Sequence, residues 1–357
     1  MDASSPMISH SPEPKLTIDG SLGEGGGQVL RTSLSLALIA GRSFTMTHIR
    51  RQRPKPGLMP QHLKAVEAAG AVGMARVQGA QLSSQNLVFE PTGIRPGEFE
   101  FDIGTAGSSS LVLQTLLPPL SFARASSRVS VTGGTHVPWS PCFHFLEWHW
   151  LPYMRRIGFK IRLELEAAGF YPRGGGRVRA AVEPAGKLAP LCLTHRGALK
   201  RIRGISGVAG LDIEVAERQR RQALRRLEQL SNEIEIETVR LPSPSRGTFV
   251  LLLAEFEDSQ GCFCGLGARG KPAERVADEA ADELLDFVGT DGAVDPHLAD
   301  QLVLPLALAP GGSELRTSRV TQHLVTNAAI VKMFLPVAIE IEGQIGRPGF
   351  IRIGSPG

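Results

Sequence analysis

The chain of 357 residues has few cysteines and no long uncharged apolar run. Its four cysteines, Cys142, Cys192, Cys262 and Cys264, are too few and too scattered to form a disulfide framework. No stretch approaches the roughly 18 apolar residues of a membrane-spanning helix, and the N-terminus lacks a charged-then-apolar export pattern. These absences predict a reduced, soluble, cytoplasmic protein without membrane contact. Residues 1–14, rich in Ser and Pro, are expected to form a disordered tail.

Metal-binding cysteine pairs and a large net charge are also missing. Cys262 and Cys264 alternate along a predicted strand, but no second Cys or His pair stands at ligand spacing, so a zinc site is not expected. The net charge is only +4, yet positive charge is concentrated at residues 50–55, 200–203 and 218–226. Such clusters fit a polyanionic ligand such as RNA. For the helical run 218–226, a solvated surface is the favoured alternative.

The order of apolar patterns predicts an α/β (α+β) fold. A strand at 16–18 is followed by a helix at 28–40, and a second helix spans 61–69. Two helix starts resemble one another, because Val-Leu-Arg-Thr at 29–32 and Val-Leu-Gln-Thr at 112–115 both follow small-residue loops. This echo predicts repeated α/β units whose loop-to-helix junctions face a shared cleft. Residues 128–153 are expected to form a third unit.

The pattern changes after the Gly-rich segment at 174–176. Residues 186–275 carry strand patterns and one charged helix, which predicts a small α+β domain inserted into a larger one. The large domain is then expected to comprise residues 15–185 plus 276–357. Helices are predicted within it at 272–288 and 296–304, and a further helix carries His323.

A glycine-rich loop, residues 23–28, lies between the first strand and the first helix. Glycines let the backbone approach a phosphate, and the helix N-terminus offers free N–H groups to it. The loop has neither the Lys-Ser/Thr of a P-loop nor the dinucleotide-binding spacing. Glu24 would repel phosphate unless a divalent cation lay between them, so we expect Glu24 to bind magnesium. The alternative is a tight turn whose glutamate faces solvent.

His323 stands at the start of an apolar helical pattern, among two threonines and an asparagine in residues 318–327. A neutral imidazole held there by hydrogen bonds could act as a nucleophile in nucleotidyl transfer. On these residues alone, a helix-capping cluster is the alternative. Upstream, Arg50 and Arg53 lie in a proline-restrained loop, where they could bind phosphate through paired hydrogen bonds; a solvated loop is the alternative there.

Together these segments resemble the RNA 3′-terminal phosphate cyclase family over nearly the whole chain, from residue 16 to about 341. The resemblance rests on the order and spacing of these segments: DGSLGEGGGQVLR (19–31), IR (49–50), RPKPGL (53–58), QHL (61–63), GSSSLVLQT (107–115), GGT (133–135), GFYP (169–172), GGG (174–176), ADQL (299–302) and HLVTN (323–327). It implies a large domain of three repeated α/β units. It also implies that the insert resembles the C-terminal domain of translation initiation factor three.

The resemblance further implies a reaction and its residues. ATP and an RNA ending in a 3′-phosphate would give AMP, pyrophosphate and a 2′,3′-cyclic phosphate, through AMP covalently bound to His323. Glu24 would hold Mg²⁺ or Mn²⁺ and, with Arg31, assist catalysis, while Arg50 and Arg53 would bind phosphates of ATP or RNA. The ATP pocket is expected to contain Gln61, Gln114, Pro138, His297, Asp300 and Gln301. No obligate protein partner is inferred.

One position departs from the family pattern. Two residues before Ala-Asp-Gln the family commonly has a tyrosine that stacks on adenine, whereas this chain has His297, which offers a smaller ring. After the Gly-Gly-Thr loop, a packing role is favoured for Trp139, and contact of Trp139 or His136 with RNA is the alternative.

Two rival functions belong to other classes. Cyclase-like proteins that lack the nucleophilic histidine act as non-catalytic RNA-binding factors in ribosome assembly. Synthases with a similar repeated fold act on small phosphorylated carboxylates, without an adenylated histidine. His323, Glu24 and Gln301 favour the enzyme over both.

Overall fold

The computed structural model describes residues 15–354, and the predicted tail at 1–14 lies outside the described residues. The strands are β1 Leu16–Asp19, β2 Phe44–Thr47, β3 Arg76–Gln78, β4 Leu87–Glu90, β5 Glu98–Asp102, β6 Ser127–Gly133, β7 Lys160–Ala167, β8 Gly176–Glu183, β9 Cys192–Leu193, β10 Leu199–Ala209, β11 Ile234–Arg240, β12 Gly247–Phe256, β13 Gln260–Leu266, β14 Ser313–Thr317, β15 Ala338–Glu342 and β16 Gly349–Gly354.

The helices are α1 Gly27–Ala40, α2 Pro60–Gly73, α3 Ser109–Leu120, α4 Phe143–Phe145, α5 Leu151–Ile157, α6 Ile213–Leu227, α7 Ala273–Val288, α8 Pro296–Ala307 and α9 Gln322–Phe334, with a π-helical segment Leu146–Trp150 joining α4 to α5. Between residues 15 and 354, no helix combines the length and apolar composition needed to cross a membrane. The chain is therefore a mixed α/β protein with several small mixed sheets.

Three of the four-stranded sheets have the same pairing order. In each, the first strand along the chain pairs in parallel with the second, the second pairs antiparallel with the fourth, and the fourth pairs antiparallel with the third. The first sheet contains β1–β4, the second β5–β8, and the third β9 with β14–β16. Because parallel neighbours need a crossover connection, α1, α3 and α8 each link the first two strands of one sheet.

Strand pairing divides the chain differently from the sequence pattern. β6 pairs in parallel with β5, so residues 128–153 complete the second sheet and its helices instead of starting a third unit. The third unit begins at β9, which pairs with β14 far along the chain. A local pattern indicates a strand, but it does not indicate which partner that strand will find.

The fourth sheet, ordered β11-β10-β12-β13, lies within the third unit's crossover. Helices α6 and α7 pack against one another, and α7 packs on β12 and β13. This hydrogen-bonded and packed unit therefore spans β10 to the end of α7, rather than residues 186–275. β12 alternates between two clusters: Val250 and Leu252 face α6 and α7, while Leu251 and Leu253 join the main core.

Helix packing connects the three repeated units in a ring. The second helix of each unit packs on the first helix of the next, because α2 contacts α3, α5 contacts α8, and α9 contacts α1. Leu30, Leu34 and Leu38 supply one apolar stripe of α1 at helical spacing, and Gly41 ends the helix with φ 65°. The α9–α1 contact places the glycine-rich loop of residues 23–28 beside the start of α9.

Candidate active site

His323 lies in the first turn of α9. Thr321 caps this helix, because its side chain accepts a hydrogen bond from the Leu324 amide at 3.0 Å. The His323 side chain remains 43% exposed, although most of the helix behind it is buried. Local capping thus presents a partly exposed imidazole at the start of α9, a helix that is otherwise largely buried in the core.

The glycine-rich loop brings Glu24 to this imidazole. Gly23 has φ 63°, and a Cβ at this residue would approach Thr326 Oγ1 of α9 to 2.0 Å, so the loop packs closely on α9 because residue 23 is glycine. Oε2 of Glu24 then lies 3.0 Å from Nε2 of His323 and 3.2 Å from Nη2 of Arg53. Three side chains from separate sequence segments thus meet at one carboxylate oxygen.

Asp300 approaches the other side of the ring, with Oδ2 3.8 Å from Nδ1 of His323. Gln28 donates to Asp300 Oδ2 at 3.4 Å and to the His323 carbonyl at 3.3 Å. Asn327 donates to the Asp300 carbonyl at 2.8 Å and accepts a 2.6 Å bond from the Thr32 hydroxyl. These bonds link α1, α8 and α9 directly behind the imidazole.

Burial sets the charge of this cluster. Desolvation lowers the pKa of His323 below its ordinary value, and Arg31 lowers it further, although Glu24 opposes both effects. Burial therefore favours the neutral imidazole, which is the form that a nucleophile requires. Burial likewise raises the pKa of Asp300 to about 8, with Asp295 adding to the rise, and only 15% of the Asp300 side chain is exposed.

Arg31 and His62 gather at the N-terminus of α1. A Cβ at Gly27 would approach Nε2 of His62 to 2.2 Å and Nη1 of Arg31 to 2.7 Å. Desolvation lowers the pKa of Arg31 to about 10 and, with the nearby Arg31 and Arg50, that of His62 to about 3. Nδ1 of His62 accepts from the Met59 amide at 3.3 Å, so Nε2 of the neutral ring carries the proton. These donors suit an anion at the start of the helix.

The sequence places His62 within a motif but indicates no role for it. A usable signal was present, because Gln-His-Leu at 61–63 recurs at 322–324. Both triplets begin the second helix of a repeated unit. Gln28 and Asn327 were likewise only motif members, and nothing in their spacing indicated that both would contact Asp300.

Arg50 and Arg53 have different surroundings. Nη1 of Arg50 donates to the carbonyl oxygens of Lys55 and Gly57 at 2.8 and 2.9 Å, so this guanidinium closes its own loop. Burial and the nearby Arg53 lower the pKa of Arg50. Arg53 instead reaches Glu24. Phosphate binding by either arginine stays a prediction.

The predicted ATP residues are partly joined by hydrogen bonds. Gln114 donates to Gln301 at 2.7 Å and thereby connects α3 with α8. Gln61 accepts from the Ser108 amide at 2.9 Å, which connects α2 with the start of α3. The structure therefore brings these glutamines to the junctions between helices of different units.

His297 and Pro138 are less constrained. His297 is exposed in the first turn of α8, and it shares a helix face with Asp300 and Gln301 because these residues stand three and four positions later. Pro138 is exposed in the loop after β6. Within residues 15–354, no hydrogen bond or ring contact joins either side chain to the cluster around His323.

Glu24 offers one carboxylate to a cation. The described part of the chain contains no group of three His, Cys, Asp or Glu side chains placed to hold a metal ion. Magnesium is commonly held by one or two carboxylates together with substrate phosphates, and Glu24, which contacts Arg53 and lies just before the N-terminus of α1, fits that arrangement. The pKa of Asp300, raised to about 8, makes that carboxyl a poorer ligand.

Two expectations for the loop after β6 change with the structure. His136 is buried, and its ring nitrogens contact Thr135 Oγ1 at 2.8 Å and His144 Nδ1 at 2.9 Å, so His136 does not face RNA. The packing role favoured for Trp139 is wrong, because this side chain is 99% exposed. The loop is held instead by the buried side chains of His136 and Val137.

The chain is similar to known proteins over most of its length. The family model described as RNA 3′-terminal phosphate cyclase matches residues 22–341. A protein of that name from Pseudomonas fluorescens is 47% identical over 323 residues, covering 90% of this chain and 93% of the relative. Another from Pyrobaculum neutrophilum is 44% identical over 328 residues, covering 91% and 94%. The enolpyruvyl transferase NikO from Streptomyces tendae aligns with 12% identity and a TM-score of 0.26, too low to support an argument.

Proposed function

Because this chain belongs to the RNA 3′-terminal phosphate cyclase family, we propose that it converts an RNA 3′-phosphate end into a 2′,3′-cyclic phosphate at the expense of ATP. The names of the relatives support the RNA-end reaction. The single observation that carries the chemistry is the partly exposed imidazole of His323 between Glu24 and Asp300, with a pKa that burial lowers. The products are the cyclic RNA end, AMP and pyrophosphate.

The first step is adenylyl transfer to His323. Nε2 attacks the α-phosphorus of ATP, the bond to the bridging oxygen breaks, and pyrophosphate leaves. The attack needs the tautomer with its proton on Nδ1, so Nε2, which lies 3.0 Å from Oε2 of Glu24, must give up its contact with that carboxylate when ATP binds. Arg31, at the N-terminus of α1, faces the charge that develops on the phosphates.

Two further displacements complete the reaction. An oxygen of the RNA 3′-phosphate attacks the adenylyl phosphorus, and the imidazole leaves with its bonding pair. The adjacent 2′-hydroxyl then attacks the activated 3′ phosphorus, loses its proton, and displaces AMP. This last step is intramolecular, and such steps reach effective molarities of about 10⁵ M or more through proximity alone.

Glu24 and the ATP phosphates would hold Mg²⁺ or Mn²⁺, which supplies charge neutralisation at the phosphates. Arg53 donates to the Glu24 carboxylate, and in this proposal it contacts the ATP phosphates once that carboxylate binds the cation. Gln61, Gln114, Asp300 and Gln301 form the ATP pocket in this proposal, with Pro138 and His297 against the adenine. The insert is proposed to resemble the C-terminal domain of translation initiation factor three, and the protein to act in the cytoplasm.

Labelling with ATP tests the proposal. Incubation with α-labelled ATP and magnesium, followed by denaturing electrophoresis, should give an acid-labile labelled protein that is absent in His323→Ala. An oligonucleotide with a 3′-phosphate should become phosphatase-resistant only with the unaltered protein. Cyclisation by the His323→Ala variant would overturn the covalent step, and absence of both signals in the native protein would favour a non-catalytic RNA-binding factor.

A further inference from the structure

An exposed aromatic pair lies beside the candidate site. Trp139 is 99% exposed and has φ 65°, whereas Trp150 is buried and Trp148 packs under the guanidinium of Arg203. A tight turn holds this conformation, because Ser140 Oγ donates to the Val137 carbonyl at 3.1 Å. Full exposure of so large an apolar ring leaves its whole stacking surface available to a ligand.

The second aromatic side chain is Tyr171, which is 70% exposed. Its loop is bonded to the loop that carries Trp139, since the amides of Thr135 and His136 donate to the Gly169 carbonyl at 2.9 and 3.1 Å. The rings of His136 and Phe170 stack at a centroid distance of 5.2 Å beneath them. Trp139 follows His136 by three residues, and Tyr171 directly follows Phe170, so this buried stack anchors both exposed rings.

Both loops lie at the end of the second sheet that faces the predicted ATP residues. The amide and hydroxyl of Ser109, at the start of α3, donate to the Gly134 carbonyl at 2.8 and 2.9 Å. The neighbouring Ser108 amide donates to Gln61. Pro138, expected to contact adenine, immediately precedes Trp139. The aromatic pair is therefore continuous with the candidate active site.

Positive charge accompanies the pair. Arg173 is exposed two residues after Tyr171, and Arg246 is exposed beside Ser245, whose hydroxyl accepts from the Phe170 amide at 2.8 Å. Neither arginine forms an ion pair within residues 15–354, in contrast to Arg218, Arg221 and Arg226 of α6, which contact acidic side chains. Exposed aromatic rings beside unpaired arginines are the features that single-stranded nucleic acid contacts.

We propose that Trp139 and Tyr171 form a platform on which unpaired RNA bases just 5′ of the terminal phosphate stack, while Arg173 and Arg246 face the RNA backbone. This inference rests on the proposed function for its substrate class and adds the residues that hold the strand. Base stacking on an aromatic side chain contributes about 1–3 kcal/mol per base, which corresponds to roughly 5- to 150-fold in affinity. Because every base has a stacking face, the platform selects single strands rather than a sequence.

Binding is measured with an oligoribonucleotide that ends in a 3′-hydroxyl and therefore cannot react. The RNA should quench Trp139 fluorescence in the native protein, and the Trp139→Phe variant should lose that quenching while retaining affinity. Trp139→Ala and Tyr171→Ala should each weaken binding about 5- to 150-fold. Phe122→Ala is the matched control, because Phe122 is an exposed ring beyond the opposite end of α3 and should leave binding unchanged.

Reaction measurements separate this proposal from its rivals. Protein labelling by α-labelled ATP without RNA should be unaffected in Trp139→Ala, while KM for a 3′-phosphate oligonucleotide rises. If Trp139→Ala impaired labelling as much as it raised KM, Trp139 would be assigned to ATP binding and the platform would be overturned. Unchanged RNA affinity of Trp139→Ala would also overturn it. A native dimer that dissociates on Trp139→Ala would show a self-association surface and also overturn it. If the native protein bound RNA without cyclising it, the proposed reaction would be wrong, but the platform would stand.

Discussion

Nε2 of His323 lies 3.0 Å from Oε2 of Glu24, which ties the first turn of the last helix to the loop before the first. This contact depends on the ring of helices, since α9 packs on α1 in the way that α2 packs on α3. Equivalent junctions carry His62 and His144 near the starts of α2 and α4, yet both are buried. Of these three histidines, only His323 combines a junction position with solvent access.

Replacing Glu24 with Gln tests the metal-binding role proposed for this carboxylate beside His323. The amide keeps the shape of the side chain but removes the charge that would hold a cation against ATP phosphates, so self-adenylylation should fall about 100-fold or more. Labelling at several magnesium concentrations measures the loss, and chelation should abolish labelling of the native protein. Glu67→Gln, at a surface pair with Lys64, is the control. Equal labelling of both variants would remove Glu24 from the metal site.

Replacing Gly27 with Ala tests the close packing at the start of α1. A Cβ at this residue would approach the His62 ring to 2.2 Å, so the substitution should destabilise the fold by about 1–3 kcal/mol. Adding His62→Ala should recover part of that loss, measured by urea unfolding as a double-mutant cycle. Gly186→Ala, where no atom lies within 4 Å, should be nearly neutral. If the stability losses of the two substitutions simply added, the His62 ring would not be the group that clashes with the new methyl group.

The sequence was most informative where structure is local. The helix predicted at 28–40 is observed as Gly27–Ala40, because the leucine spacing and the closing Gly41 act within one element. The helix predicted at 61–69 continues to Gly73, where Met74 adopts the left-handed cap, so Gly70 alone does not end it. Glycine lowers helix propensity by only about 1 kcal/mol, which burial on α3 outweighs.

Long-range pairing could not be predicted in this way. The two-residue strand β9 is defined by its pairing with β14, and nothing in the sequence at 192–193 indicates that partner. The contacts of Asp300 have the same character: Gln28 and Asn327 reach it from the other two helices of the junction. Family resemblance identified these segments in order, while the structure supplies the distances between them.

Asp300 should make stability fall as pH rises. Its pKa is raised to about 8 in the folded chain, against an ordinary 3.8, so between these values the folded state binds more protons than the unfolded state. The free energy of unfolding should therefore decrease with pH in this window, by up to about 1.4 kcal/mol per unit, and level off above it. Asp300→Asn removes the titrating group and with it this contribution.

Urea unfolding of the ligand-free protein from pH 5 to 9 measures the effect as native minus Asp300→Asn, which cancels the other titrating groups. Asp102→Asn, which removes an exposed carboxyl, is the control for the substitution itself. A pH-independent difference for Asp300→Asn would show that the folded chain holds this carboxyl with an ordinary pKa.

The buried pair of Asp295 and His149 should matter to stability more than any surface ion pair. Both side chains are fully buried and hydrogen-bonded to each other, and His149 lowers the pKa of Asp295 although desolvation opposes that shift. Asp295 also caps α8 through the amides of His297 and Leu298. Asp295→Ala should therefore cost about 3–5 kcal/mol for the broken buried pair, besides about 1 kcal/mol for the cap.

Asp212→Ala separates these two contributions. Asp212 caps α6 through the Glu214 amide at 3.0 Å, but it is exposed and has no buried partner, so its loss should cost only about 1 kcal/mol. Urea unfolding of both variants measures the difference. Similar losses would mean that the pair contributes nothing beyond capping, whereas a larger loss for Asp295→Ala would show that the burial of His149 beside α8 depends on the Asp295 carboxylate.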